Sequence, residues 1–324
     1  MQTLSQKFIY EWRYSAISAG MVVVILLAGL NYLAGNWDPV NAPWYFESGR
    51  AFIGMTLLVT LFPPYLCVCT IYGFRRSFAL ARKIDATHTT HLTQTIVSMP
   101  WKLVLSAGTL GALFAIFFNI PSKGWLNFTL DTPTDIGIAL GQLLIWTIIF
   151  CFIAIRLRIA RDFNHASQNV PIDIFEPSGL RPFAQIGLID VLTFAGGMVL
   201  STLQSVDFSF RPDNYYKALV IAVPAMLYLA VFPMWHIHKR MLALKKEELD
   251  ELNRKIASAS KSLEVDKVNE LEILLQRRER VANCSTWPID TAILQRFLFY
   301  IIIPPLAWIG AALVESVIDD FIGG

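Results

Sequence analysis

The sequence predicts an all-α protein: a polytopic membrane helix bundle of about seven spans that carries a cytoplasmic antiparallel helical hairpin. Three observations predict it. The 324 residues are 55% hydrophobic and 16% charged, with a mean hydropathy of +0.49, more apolar and less charged than a soluble domain. Seven apolar runs reach or approach the ~20 residues that a membrane-crossing helix needs. One tract, residues 236–283, breaks that pattern with dense Lys, Arg, Asp and Glu.

The first run, residues 15–34, is longer than a signal-peptide core and reads as a retained span. The others cover residues 51–72, 103–120, 136–155, 186–203, 216–235 and 293–314, and the fifth of the seven is the shortest. Basic residues alternate by side. Lys7 and Arg13 precede the first span, and Arg75, Arg76, Arg82, Lys83 and Lys102 lie between the second and third. Arg156, Arg158, Arg161 and Arg181 lie between the fourth and fifth, and Lys239, Arg240, Lys245 and Lys246 follow the sixth. The opposite loops hold Arg50, Lys123 and Arg211 against Asp38, Glu47, Asp131, Asp135, Asp207 and Asp213. This asymmetry places the N-terminus in the cytoplasm and the C-terminus outside, in a plasma (inner) membrane. Trp12, Trp37, Trp44, Trp101, Trp125, Trp235 and Trp287 fall near span ends, where indoles anchor.

Within the charged tract, Leu242, Leu249, Ile256 and Leu263 recur every seven residues, and Leu252 falls three after Leu249. A second apolar set holds Leu271 and Leu275. Such spacing lays a seam along a helix that needs a partner. Serines at 258, 260 and 262 favour a turn, giving a hairpin over 236–284. The six-span bundle with short loops then covers 1–235, and a final proline-kinked span with an acidic end covers 285–324. No Gly or Pro interrupts Trp235 to Leu252, so the sixth span is expected to run straight into the hairpin.

Two proline pairs sit inside apolar runs: Pro63 and Pro64 in the second, Pro304 and Pro305 in the last. Each proline removes a backbone donor, so carbonyls one turn earlier lose their helical partners and the helices kink. The freed groups must face protein, water or an ion, which makes these positions candidate hinges.

Asp190, Thr193, Gly197, Ser201 and Gln204 fall on one helical face of the fifth span. Two readings stand: a polar path through the bundle, or close helix packing through small residues. The chain uses small residues elsewhere, at Gly137 and Gly141 and at Ala107, Gly111 and Ala115. Essentially one buried carboxylate argues against a coupled transporter more than against a passive channel.

Asp85, His88 and His91 form a weak candidate metal set, set against an ordinary polar loop. Segment 74–84 is basic with interleaved apolar residues, as an interfacial helix under anionic headgroups would be. The four cysteines show no metal spacing and no disulfide framework. Phosphate-loop, zinc-protease, nucleophile-elbow and dinucleotide signatures are missing from the sequence, so no catalytic residue, cofactor or enzymatic activity is expected. A net charge of +2 does not suggest a nucleic-acid partner. The expected function is a non-enzymatic membrane scaffold or sensor. Its hairpin binds a cytoplasmic protein or a second copy, and the sixth span transmits strain to it. The alternative is an oligomeric ion channel or small-solute permease lined by the Asp190 face. Membrane lipid is the common partner of both.

Overall fold

A computed structural model describes residues 15–43, 46, 48–87, 90–98, 100–119, 132–175, 177–205, 212–260, 265–287, 295–300, 302, 303, 306 and 310. All regular structure among them is helical. The helices are α1 (Ser15–Leu33), α2 (Gly49–Thr87), α3 (Leu92–Val97), α4 (Trp101–Phe114), α5 (Pro133–Ala166), α6 (Arg181–Leu200), α7 (Pro212–Val231), α8 (Trp235–Ala259) and α9 (Val265–Asn283). Four helical stretches are long and apolar enough to cross a membrane: Ala16–Leu33, Gly49–Thr87, Pro133–Ala166 and Arg181–Leu203. A fifth, Trp101–Phe117, is apolar but shorter, its last turns wound as a π-helix from Ala115 to Asn119. The last predicted span, with Pro304 and Pro305, falls largely outside the described residues, and both prolines lie outside them.

The loops expected on the basic side are instead continuations of helices. At 1.5 Å per residue, the 39 residues of α2 and 34 of α5 extend about 58 and 51 Å, well beyond a ~30 Å hydrocarbon core. Segment 74–84 is therefore the lower part of α2. Its Ser77, Leu80, Ala81 and Ile84 are buried in protein while Arg76, Arg82 and Lys83 face outward. Local signals set the starts. Thr132 caps α5, its hydroxyl accepting from Asp135 N at 3.2 Å, with Pro133 in the first turn. Gly35, at φ +75°, turns the chain out of α1.

Helix α2 is central, packing on α1, α5 and α6, while α4 packs on α5 and α7 on α6. A smaller core joins α2 and α5 through Phe52, Val59, Phe62 and Ile145. The larger core lies around the extensions: Leu80, Ile96, Ile159, Phe163, Phe183 and Ile237 are all buried. Pro63 and Pro64 are buried inside α2, whose helix continues on both sides of them. Proline inside α7 is Pro224. The sixth span does not run straight into α8. A 3-10 turn, Phe232–Met234, intervenes with Pro233 in its first turn. Pro233 has no N–H for the helical bond and its ring crowds the carbonyl four residues back.

Helices α8 and α9 are antiparallel. Lys245 Nζ donates to the carbonyls of Ala282 (2.7 Å) and Cys284 (2.9 Å), Arg277 pairs with Glu248 (2.7 Å), and Arg278 Nε reaches Asn253 Oδ1 (2.8 Å). Leu252 is buried in the seam, and Leu249, Ile256 and Leu271 are half-buried. Leu242 and Leu275 depart from expectation, being 51% and 46% exposed. Val281 of α9 is buried, and Met241 is buried in the larger core of the bundle. The helical period explains the exposure of Leu242. Counted back from Leu252, Leu242 is displaced around the helix by about 80°. Leu263 lies outside the described residues.

Candidate functional site

Arg156, the first charged residue after the apolar part of α5, is turned inward and buried. Its Nε donates to Asp190 Oδ1 on α6. Its Nη1 donates to Ser77 Oγ on α2 at 3.0 Å, and Ser77 in turn donates to the Gly73 carbonyl at 2.7 Å. The pair is 1% and 0% exposed. Gly73 makes room: a Cβ there would lie 3.1 Å from Arg156 Nη1. One guanidinium thus ties three helices together. Its flat, multi-donor shape suits this where an ammonium would not. Arg156 Nη2 and Asp190 Oδ2 are buried without a hydrogen-bond partner among the described residues.

The cluster marks a common level in the bundle. Gly73 of α2, Arg156 of α5 and Asp190 of α6 meet there. Helix α4 runs antiparallel to α5, with the Cys151 thiol on the Val104 carbonyl and Gly111 against Trp146. Trp101 and Lys102 at its start consequently lie near the level of Arg156. On α2, α4 and α5 the sequence changes there from apolar to charged, whereas on α6 apolar residues flank Asp190 on both sides and the next charge is Arg181. The ion pair is enclosed at that level by the helices around it.

The rest of the polar face is occupied by packing. Thr193 donates to the Ile189 carbonyl at 3.0 Å and Ser201 to the Met198 carbonyl at 2.6 Å. Gly197 sits beneath Phe62 and Tyr65, and Tyr65 donates to the Thr193 carbonyl at 2.8 Å. Gln204 falls in the 3-10 turn after α6, Ser201–Ser205. Asp190, Thr193, Gly197 and Ser201 are all buried.

Asp85 is committed to its own chain. Oδ1 accepts from the Thr90 hydroxyl and Leu92 N (2.8 Å), and Oδ2 accepts from Thr93 N (2.8 Å) and the Thr93 hydroxyl (2.6 Å). It caps α3, while His91 takes a left-handed φ of 52°. Both oxygens are engaged in holding this turn, and His88 lies outside the described residues. No metal-holding group of three His, Cys, Asp or Glu occurs among the described residues.

Two arrangements have no counterpart in the sequence reading. At the opposite end, Asn31 donates to Thr60 Oγ1 (3.2 Å), Asn36 to Asn31 Oδ1 (2.7 Å), and Thr56 to the Asn36 carbonyl (3.0 Å). These bonds bind the end of α1 to α2 just before Pro63. At the hairpin base, Arg240 Nη1 donates to the carbonyls of Ser167 (2.9 Å) and Val170 (2.7 Å) beyond the end of α5. His236 N donates to Asn164 Oδ1 (3.3 Å), and His238 stacks on Trp287 at 4.0 Å. The helix that holds Arg156 therefore also holds the hairpin. Nothing in the sequence singles out Arg156 from Arg158 and Arg161; the approach of Gly73 and Ser77 does. No family model, curated protein or solved structure matches the chain.

Proposed function

We propose that this is a multi-pass plasma-membrane protein of about seven spans, with a cytoplasmic N-terminus and a hairpin in the cytoplasm. In this reading it acts without catalysis, as a scaffold or sensor that presents the hairpin to a protein partner or a second copy. The observation that carries it is the double engagement of α5: Arg156 joins α5 to α2 and α6, and the chain just past its end accepts from Arg240 of α8. From Arg156 to Ala166 α5 is unbroken helix, about 15 Å long, so a shift at the ion pair is delivered to the hairpin base. This replaces strain transmission along the sixth span, which the turn at Pro233 interrupts.

Hydrogen–deuterium exchange of the full chain in nanodiscs tests it, comparing wild type with Asp190→Leu. Faster exchange over residues 235–245 is the expected outcome. Unchanged exchange there, with the bundle perturbed, would remove the coupling.

The alternative is an oligomeric channel or permease along the Asp190 face, and the buried, partly unpaired ion pair is what favours it. Such a path needs α2 and α6 to separate at Tyr65 and Thr193. Planar-bilayer currents altered by Asp190→Asn would select this reading.

A further inference from the structure

We infer that the outer face of α2 just past the apolar layer, Tyr72, Arg76 and Lys83 with Ala79 between them, is a docking surface for anionic phospholipid headgroups. These residues stand at offsets of four, seven and eleven from Tyr72, one line along a helix, and all four are exposed, Tyr72 at 56%. The opposite face of the same turns, Gly73, Ser77, Leu80 and Ile84, is buried in the bundle. The stripe therefore looks away from α5 and α6, on the line where Val68, one turn earlier, meets Gly20 of α1.

Depth selects the ligand. Tyr72 adjoins Gly73, which lies at the level of Arg156 where the apolar segments end. Arg76 is then about 6 Å and Lys83 about 16 Å further along the axis. The headgroup layer of one leaflet is roughly 5–8 Å thick, so Arg76 lies within it. Direction adds to this. Side chains lean toward the N-terminus of their helix, and the N-terminus of α2 lies across the apolar layer. Arg76 and Lys83 are accordingly tilted back toward the headgroups, with Tyr72 as the amphipathic body above them. Ala79 leaves open space between the two cations. Arg76 meets phosphate directly, while Lys83 acts across a gap comparable to the ~8 Å Debye length, so Arg76 is the stronger contributor. In the proposed orientation these are the headgroups of the cytoplasmic leaflet.

The test is competitive retention of phosphatidylglycerol against phosphatidylcholine by the full-length protein, read by native mass spectrometry. Wild type is expected to prefer the anionic lipid, with about five-fold of that preference lost per neutralised residue near the surface. Arg76→Gln is expected to lose more than Lys83→Gln, and the exchange pair Arg76→Lys with Lys83→Arg to keep the preference. Equal retention of the two lipids by wild type overturns the inference, as does an unchanged preference in the double Gln variant. Displacement of the lipid by millimolar inorganic phosphate would assign the stripe to free anions and also overturn it. Should the double Gln variant unfold, Arg76→Gln read against Arg76→Lys decides alone. Because the readout is lipid occupancy, its failure leaves the hairpin coupling standing, and the reverse holds too.

Discussion

Arg156 and Asp190, on different helices and 34 positions apart, form an ion pair from which water is almost wholly excluded. Two charges in such a place are held by each other and by Ser77, and either alone would be left without compensation. Asp190→Leu or Arg156→Leu is therefore expected to destabilise the bundle by about 3–5 kcal/mol, the usual effect of breaking a buried pair. The double Leu variant is expected to recover most of that loss, because it removes both desolvation costs. Unfolding in mixed micelles across the four-member cycle measures this. Strictly additive losses would show that the two residues do not act as a pair.

Close helix approach yields a sharper steric test. A Cβ at Gly111 would lie 2.5 Å from the Trp146 carbonyl oxygen, and one at Gly187 would lie 2.6 Å from that of Ala230. Both obstacles are backbone and cannot turn aside. Gly29 has nothing within 4 Å. Gly111→Ala and Gly187→Ala are expected to cost roughly 1–3 kcal/mol as overpacking, and Gly29→Ala to be neutral or slightly stabilising. Thermal unfolding of the three variants, side by side, checks the order.

Asp85 accepts four hydrogen bonds with two oxygens. Asparagine has the same shape, but its NH2 cannot accept, so Asp85→Asn orphans the donors on one side and weakens those on the other. A loss of about 1–3 kcal/mol is expected, localised to the α2–α3 turn. Amide exchange at Leu92 and Thr93 reads it. Protection equal to wild type at both amides would contradict the capping role.

How much of this was legible in sequence depends on whether the signal was local or relational. Apolar runs of spanning length marked α1, α2, α5 and α6, because hydropathy is a property of each segment alone. The ends of α2 and α5 are not legible in hydropathy, because the helix goes on past the point where charge begins. Arg76 and Lys83 in fact decorate one face of a helix that keeps burying Leu80 and Ile84 on the other. Asp190 stood out as a carboxylate in an apolar run, yet its partner did not. Arg156 resembled the neighbouring Arg158, which is a third exposed and pairs one turn on with Asp162. Only the tertiary approach of Gly73 and Ser77 tells the two arginines apart. Asn31 and Asn36 were missed for the same reason, since neither is unusual until Thr60 and Thr56 face it.

The hairpin seam separates a strict seven-residue repeat from the true helical period, and it furnishes the last prediction. Leu252 is buried and Leu242 half exposed, although the repeat assigned both to the seam. Leu252→Ala is expected to cost about 2–4 kcal/mol of hairpin stability, since it empties a filled site between α8 and α9. Leu242→Ala should stay within about 0.5 kcal/mol of wild type. Glu251 gives a control of a different kind. Its hydrogen bond and ion pair with Lys255, one turn on, hold the carboxyl below the ordinary glutamate range. Whatever this contact contributes is present above the ordinary glutamate range and is lost as pH falls below it, through the lowered value of the folded state. On so exposed a helix face that contribution is small, so acid should loosen the hairpin far less than Leu252→Ala does. Circular dichroism melts of the full chain, with exchange over residues 244–256 to localise the change, distinguish the two leucines. Equal effects at Leu242 and Leu252 would mean that both leucines pack in the seam after all.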